Sequence, residues 1–299
     1  MIQELLLVLV IMLSVAFFSL MERKVLSYLH YRKGPNKVLI KGFFQPFADV
    51  IKLFSKDDYP VMWSNKLIYY LSPMYMFFLA ILCWMVYPFV WGVVMNTMSF
   101  ITIIIILGMS VYSLMFSGWS SNSTYSMLGS MRSISQSISY EVVISFIFLS
   151  VIYTISSFSI EGYYKWKLMK LFMLNPIVLM ITLISLLAEM NRSPFDLAEG
   201  ESELVSGFSV EYGGVCYTLI FLGENMMIFF SSFMISFFFF SLLKNYITFF
   251  LYSFITLMIC VIRGILPRIR YDKLMKLCWM SILPMMLMCF NLFILLTNL

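Results

Sequence analysis

The sequence predicts an all-α polytopic membrane protein: about eight transmembrane helices, with an interfacial amphipathic helix between the first two spans. Three observations carry that expectation. The 299 residues are 62% hydrophobic and 12% charged, with mean hydropathy +0.92, whereas soluble domains run roughly 45–50% apolar and about 25% charged. Eight apolar segments approach the ~20 residues a helix needs to cross a ~30 Å hydrocarbon core. Lys and Arg divide 16 to 4 between the two sets of alternating loops, a strong positive-inside asymmetry. This balance argues against disorder, nucleic-acid binding and cytosolic catalysis. With no internal repeat and no long hydrophilic stretch, residues 1–299 read as a single membrane domain.

The spans run approximately 2–21, 67–92, 99–116, 138–157, 171–190, 214–241, 247–263 and 276–298. They must be helical, because an open strand leaves backbone groups unpaired in lipid. The first has no basic residue ahead of it and no small-residue cleavage site before Met21-Glu22-Arg23-Lys24, so it reads as a retained span. An even count puts both termini on one side. The basic loops at 22–66, 117–137, 191–213 and 264–275 then share the inner side. The sequons at Asn122 and Asn191 fall on that side, where glycosylation is not expected.

Between the first two spans, Ile40, Phe43, Phe44, Phe47, Ile51 and Phe54 recur at i, i+3, i+4, i+7 spacing, with Lys37, Lys41, Gln45, Asp49, Lys52 and Lys56 opposite. This describes a helix lying in the interface, its regular part starting near Pro46. On composition it is a lipid-surface anchor; it would equally serve as the wall of a cavity that an apolar ligand enters from the bilayer. The Ser-rich stretch at 117–141 lines a proton path or packs helices closely, and serine density does not separate the two.

Three acids interrupt the spans: Glu141, Glu189 and Glu224, all in the inner half of the membrane. Charge there costs on the order of 2.5–3.5 kcal/mol, and its default reading is an ion or proton path. Glu189 also reads as an interfacial residue. No Lys or Arg lies deep in a span, so the expected partners are the hydroxyls of Ser139, Tyr140 and Ser145, water, or another subunit's charges. The loop at 191–213 sets Arg192 against Asp196, Glu199, Glu201, Glu203 and Glu211, an acidic patch on a positive-inside face. Interleaved Phe195, Leu197, Leu204, Val205, Phe208 and Val210 favour a buried acidic funnel over a solvated loop.

The five cysteines (Cys83, Cys216, Cys260, Cys278, Cys289) form no C-x-x-C, and His30 is the only histidine. No zinc, haem or iron–sulfur site is expected from that inventory. Composition adds a hint of origin. Five Ala and seven Arg beside 26 Met and 30 Phe suit an AT-rich genome in which AUA is read as Met, as in animal mitochondria.

Five stretches in order, ERKVL…RKGPNKV, QPFADVIKLF, YSLMFSGWSSNSTYSMLGSMRSISQSISYE, AEMNRSPFDLAEGESELVSGFSVEYGG and RGILPRIRYDKLM, resemble the chain 1 family of mitochondrial NADH–ubiquinone oxidoreductase, respiratory complex I. The resemblance implies a core membrane subunit of the proton-translocating NADH:ubiquinone reductase, in the mitochondrial inner membrane. The loops at 22–66, 117–137, 191–213 and 264–275 would face the matrix, and both termini the intermembrane space. It implies that the chain forms the membrane part of the ubiquinone chamber, with Arg23, Arg32, Asp49, Phe221 and Arg263 at quinone-access positions. Arg192, Asp196, Glu199, Glu201, Glu203 and Glu211 match the family's link to the membrane arm, and Glu141, Glu189 and Glu224 its buried proton relay. Ubiquinone is then a substrate, this chain carries no metal or flavin, and FMN and iron–sulfur clusters belong to partner subunits. Those partners are a hydrophilic quinone-reducing arm, small membrane subunits and antiporter-like subunits, with no nucleic acid. Departures from the family pattern include His30 for Gln, Asp57 for Glu, and Asn225 for the Tyr that normally follows Glu224. Other classes remain: the membrane anchor of a related hydrogenase-type complex, or a secondary transporter, which usually shows inverted repeats.

Overall fold

The computed structural model describes residues 2–86, 97–160, 176–197, 200, 207–240 and 245–298, and every regular element among them is helical. In order these are α1 (Ile2–Leu29), α2 (Gln45–Phe54), α3 (Lys66–Met85), α4 (Ser99–Ser120), α5 (Thr124–Ile155), α6 (Pro176–Glu189), α7 (Gly214–Phe240) and α8 (Asn245–Ile265). Then α9 (Tyr271–Lys276) passes through a π-helical stretch, Leu277–Ile282, into α10 (Leu283–Asn298). Single 3-10 turns lie at Ile40–Gly42 and Gly207–Glu211. Among the described residues, α1, α3, α4, α5, α7 and the continuous α9–α10 rod are long and apolar enough to cross a membrane, and α6 and α8 are shorter apolar helices. The predicted all-helical, multi-pass class holds.

The element that differs most from expectation is the Ser-rich stretch. Residues 117–137 are not a loop: α4 runs on to Ser120, and α5 starts at Thr124 after a short turn. Serine is tolerated here because each hydroxyl bonds back to its own helix: Ser130 donates to Met127 O at 3.0 Å, Ser133 to Ser130 O at 2.8 Å and Ser137 to Ile134 O at 3.0 Å. With those donors occupied, the small side chains let backbones approach. A Cβ placed at Gly118 of α4 would collide with the Ser130 side chain of α5. Packing of this kind, rather than exclusion of water, holds helices together in lipid. At 32 residues, α5 is about 48 Å long, well beyond the ~30 Å of a hydrocarbon core.

Other bounds shift for local reasons. The first span extends past residue 21 to Leu29, so Glu22 and Arg23 are helical. The last begins at Tyr271 instead of 276, and Pro284, which has no N–H to continue the ladder, follows directly on the π-helical stretch. Inside α3, Pro73 frees the carbonyl of Tyr69, to which Ser72 Oγ donates at 3.4 Å. The regular interfacial helix starts at Gln45 with Pro46 in its first turn, as its sequence predicts.

One hydrophobic cluster runs continuously through the bundle, from Val15 and Phe18 on α1 to Met286 and Phe293 on α10. At its centre α7 packs on α3, α8, α1, α2 and α6, while α5 packs on α4, α6 and α10. The outward faces carry Leu5, Leu9 and Leu13 of α1, Phe249 and Phe250 of α8, and Met288 and Leu292 of α10, all exposed. In lipid these are the solvated side chains.

The start of α7 is fixed from a distance. Asp58, in the segment after α2, accepts a hydrogen bond from Val215 N at 3.1 Å, supplying an anionic cap to the helix N-terminus. Gly214 takes φ +46, and a Cβ there would run into the Asp58 carboxylate, whereas a Cβ on Gly213 meets nothing within 4 Å. Gly213→Ala is therefore expected to assemble with wild-type thermal stability. Gly214→Ala should lose about 1 kcal/mol or more, read as an earlier melting of the chain's assembled complex on native gels.

Candidate functional site

Polar chemistry gathers in two places. The first is a cavity of about 350 Å³ between α1, α2 and α7. Arg23, at the end of α1's apolar run, pairs with Asp49 of α2 at 2.6 Å. Gln45, one turn earlier on α2, donates Nε2 to Asp49 Oδ1 at 2.9 Å and fixes the carboxylate. Both ionic side chains are partly exposed, so the pair contributes at most ~1 kcal/mol of stability. Its effect is to hold α2 against α1. Apolar contacts do the same on the lipid side, where the Phe17 ring meets Phe43 at 4.8 Å and Phe47 at 5.9 Å. The remaining wall is α7, with Tyr217 and Phe221 stacked on each other at 6.4 Å.

Of the predicted access residues, Arg23, Asp49 and Phe221 meet in this cavity. Arg263 lies beside it instead, ion-paired with Glu22, and so ties α8 to α1. The helices touch closely there, since a Cβ on Gly264 would press into Leu26 and Leu29. Arg32 is exposed just past the end of α1 and does not line the cavity. The interfacial helix is thus a cavity wall as well as a surface element.

The second place is a small internal cavity of about 60 Å³ among α3, α4, α5, α6 and α7, lined by both Glu189 and Glu224. Here the expectation that the buried acids are partnered only by hydroxyls, water or another subunit's charges fails for Glu224. Arg192, three residues beyond α6, turns inward, and its Nη2 lies 3.3 Å from Glu224 Oε2 and 3.1 Å from Asn225 Oδ1. Arg192 is 8% exposed, so removing the Glu224 charge would break a buried ion pair, at about 3–5 kcal/mol. Nor are the proposed hydroxyl partners available: Ser139 donates to Gln136 O, Tyr140 to Leu274 O and Ser145 to Val142 O. Glu141 sits in a seat opened by Gly108 of α4, where a Cβ would strike its carboxylate, and it interacts electrostatically with Glu189.

The turn carrying Arg192 is fastened by Gln136 of α5. Its buried amide donates to Ala188 O at 2.7 Å and to Phe195 O at 2.8 Å. Asp196, 5% exposed, pairs with Arg268 at 3.2 Å, and Ile269 N donates to Pro194 O at 3.0 Å. The 191–197 and 266–270 segments therefore close on one another.

Further along, Tyr69 of α3 donates to the Glu211 carbonyl at 2.6 Å and stacks on Tyr212 at 4.4 Å, 7° from parallel. The Tyr212 hydroxyl lies 3.0 Å from both Ser72 and Ser120. Burial pushes the Tyr212 phenol up, with those two hydrogen bonds pulling against it, so it stays neutral and serves as an anchor. Glu199, Glu201 and Glu203 lie outside the described residues.

Sequence reasoning did not single out Gln136, Tyr69, Tyr212 or Asp58. For Gln136 a signal existed: it is the one amide in α5, four residues from Tyr140 on the same face.

The family profile described as NADH dehydrogenase matches residues 2–294. The NADH-ubiquinone oxidoreductase chain 1 of Apis mellifera ligustica is 44% identical over 286 residues, covering 95% of this chain and 93% of that protein. The same-named chain of Aedes aegypti is 44% identical over 291 residues, with 95% and 91% covered, and that of Locusta migratoria 45% over 285, again 95% and 91%.

Gln136→Leu keeps the volume and removes both donors, leaving Ala188 O and Phe195 O with only the local backbone donors Asn191 N and Leu197 N, a loss of about 0.5–1.5 kcal/mol per hydrogen bond. The variant is expected to expose the 190–197 turn, seen as faster amide exchange there than in the wild type while α4 exchange is unchanged.

Proposed function

The chain belongs to the NADH dehydrogenase family, and from that premise we propose that it walls the membrane part of a ubiquinone chamber and relays charge from quinone reduction to proton translocation. It is a membrane subunit of respiratory complex I, the NADH–ubiquinone oxidoreductase, and a multi-pass protein of the mitochondrial inner membrane. The finer reading rests above all on one observation: the cavity in which Arg23, Asp49 and Phe221 meet, bounded by an interfacial helix that carries exposed Ile51 and is preceded by exposed Phe43 and Phe44. An apolar ring with polar oxygens suits such a space, entering between lipid-facing aromatics and ending beside a charged pair. The redox groups belong to the hydrophilic quinone-reducing arm, and this chain supplies shelter and orientation. The end of α1 that holds Arg23 and the segments that hold Arg192 and Arg268 face the matrix, where the positive-inside rule puts them.

The relay runs through the acids. Reducing a quinone to a quinol takes up two protons as well as two electrons. Their withdrawal alters the charge carried by Asp196, Glu199, Glu201, Glu203 and Glu211. Coupled carboxylates respond to one another, and Glu189, Glu141 and Glu224 pass the change toward the antiporter-like subunits. The two cavities share α7: Leu222 lines one and Glu224 the other. A displacement of that helix is felt on both sides.

Photolabelling of native membranes with a reactive ubiquinone analogue, with excess ubiquinone as competitor, tests the chamber. Competable label is expected within 22–54 or 191–224, and label confined to partner subunits would overturn the reading. For the relay, Glu224→Gln should lower proton translocation per NADH oxidised by about a hundredfold or more, the scale of a lost buried charge interaction. Unchanged translocation would remove Glu224 from the path.

A further inference from the structure

Arg192 is held over Glu224 by neutral contacts that are independent of the carboxylate. Its Nη2 reaches two consecutive side chains of α7, Glu224 Oε2 at 3.3 Å and Asn225 Oδ1 at 3.1 Å. Neighbouring residues on a helix point about 100° apart, so the guanidinium sits in the crease between them. Asn225 is fully buried. Among the described residues its Oδ1 is the one neutral side-chain acceptor that Arg192 uses, while Arg192 Nε and Asn225 Nδ2 have no hydrogen-bond partner there. The backbone on either side of Arg192 is fastened separately, by the Gln136 amide on Ala188 O and Phe195 O.

These contacts differ in how they respond to a proton. When Glu224 is protonated it loses its charge and gives up acceptor capacity, and its attraction for the guanidinium falls. An amide oxygen keeps both lone pairs at any physiological pH. An arginine released from its carboxylate regains several rotamers, unless something else retains it.

We propose that Asn225 is a positioning residue: it keeps Arg192 in place as an immobile counter-charge to Glu224 in either protonation state of that carboxylate. The proton then comes and goes against a preorganised field, without the cation having to be recaptured each cycle. The assignment rests on the reading of Glu224 as a relay member, and its test separates the two.

The test uses intact complex I in mitochondrial membranes, with assembly checked on native gels. Asn225→Leu keeps the side-chain volume and removes the acceptor. It is expected to lower proton translocation per NADH oxidised at least about tenfold, the scale of one hydrogen bond to a charged group. Combined with Glu224→Gln it should lower translocation no further than Glu224→Gln alone, because Asn225 acts only through that carboxylate. A purely structural role would instead add its own loss in the double variant, and that result would overturn the proposal. So would wild-type translocation in Asn225→Leu beside a low value in Glu224→Gln, which leaves the relay standing. Wild-type translocation in Glu224→Gln itself would overturn the relay and the positioning role together. Asn225→Ala, which removes the acceptor without a branched side chain, gives the same comparison if the leucine variant does not assemble. Failure of both to assemble would make Asn225 a determinant of folding and overturn the proposal.

Discussion

A carboxylate about ten residues into a membrane helix has to find a partner, and the fold around the second cavity follows from how Glu224 finds one. The ion comes from outside α7, carried by a turn that leaves α6 and folds back into the bundle. Bringing Arg192 inward buries the whole 191–197 segment with it, and its polar backbone then needs partners of its own. Gln136 supplies two, and the 266–270 segment supplies Ile269 N and the Arg268 side chain. One unfavourable charge thus organises α5, α6, α7 and the segment before α9 around a common point.

Much of the architecture was legible in the sequence, because lipid allows few alternatives. Long apolar runs must be helices, and the spacing of Phe43, Phe47, Ile51 and Phe54 with Pro46 ahead is enough to start α2 at Gln45. The same simplicity misled at residues 117–137. Ser, Gly and Asn together read as a loop in a soluble context, but in lipid they are what lets α4 and α5 touch, as Gly118 and Ser130 do. Hydropathy alone also cuts α1 off at its first charges, although Glu22 and Arg23 have partners on α8 and α2 that keep the helix going to Leu29.

The site was legible as an inventory and not as a set of pairs. Glu141, Glu189 and Glu224 stand out as charges in apolar surroundings, and Arg23 and Asp49 as charges flanking an interfacial helix. What pairs with what depends on separations that no local pattern records: 32 residues from Arg192 to Glu224, 142 from Tyr69 to Glu211, 157 from Asp58 to Val215. Arg32 and Arg263 show the converse. Both are basic residues near span ends, one just past α1 and the other in the last turn of α8, yet the first stays in solvent and the second is committed to Glu22.

The length of α5 has a mechanical meaning. A rod of about 48 Å that exceeds the hydrocarbon thickness must either lean or stand clear of it. Thr124 and Glu141 lie on the same unbroken rod, 17 residues apart, about 26 Å along its axis. A helix under lateral load moves as a stiff beam. A lateral displacement at Thr124 is therefore carried along the rod to Glu141, whose carboxylate rests against Gly108 of α4.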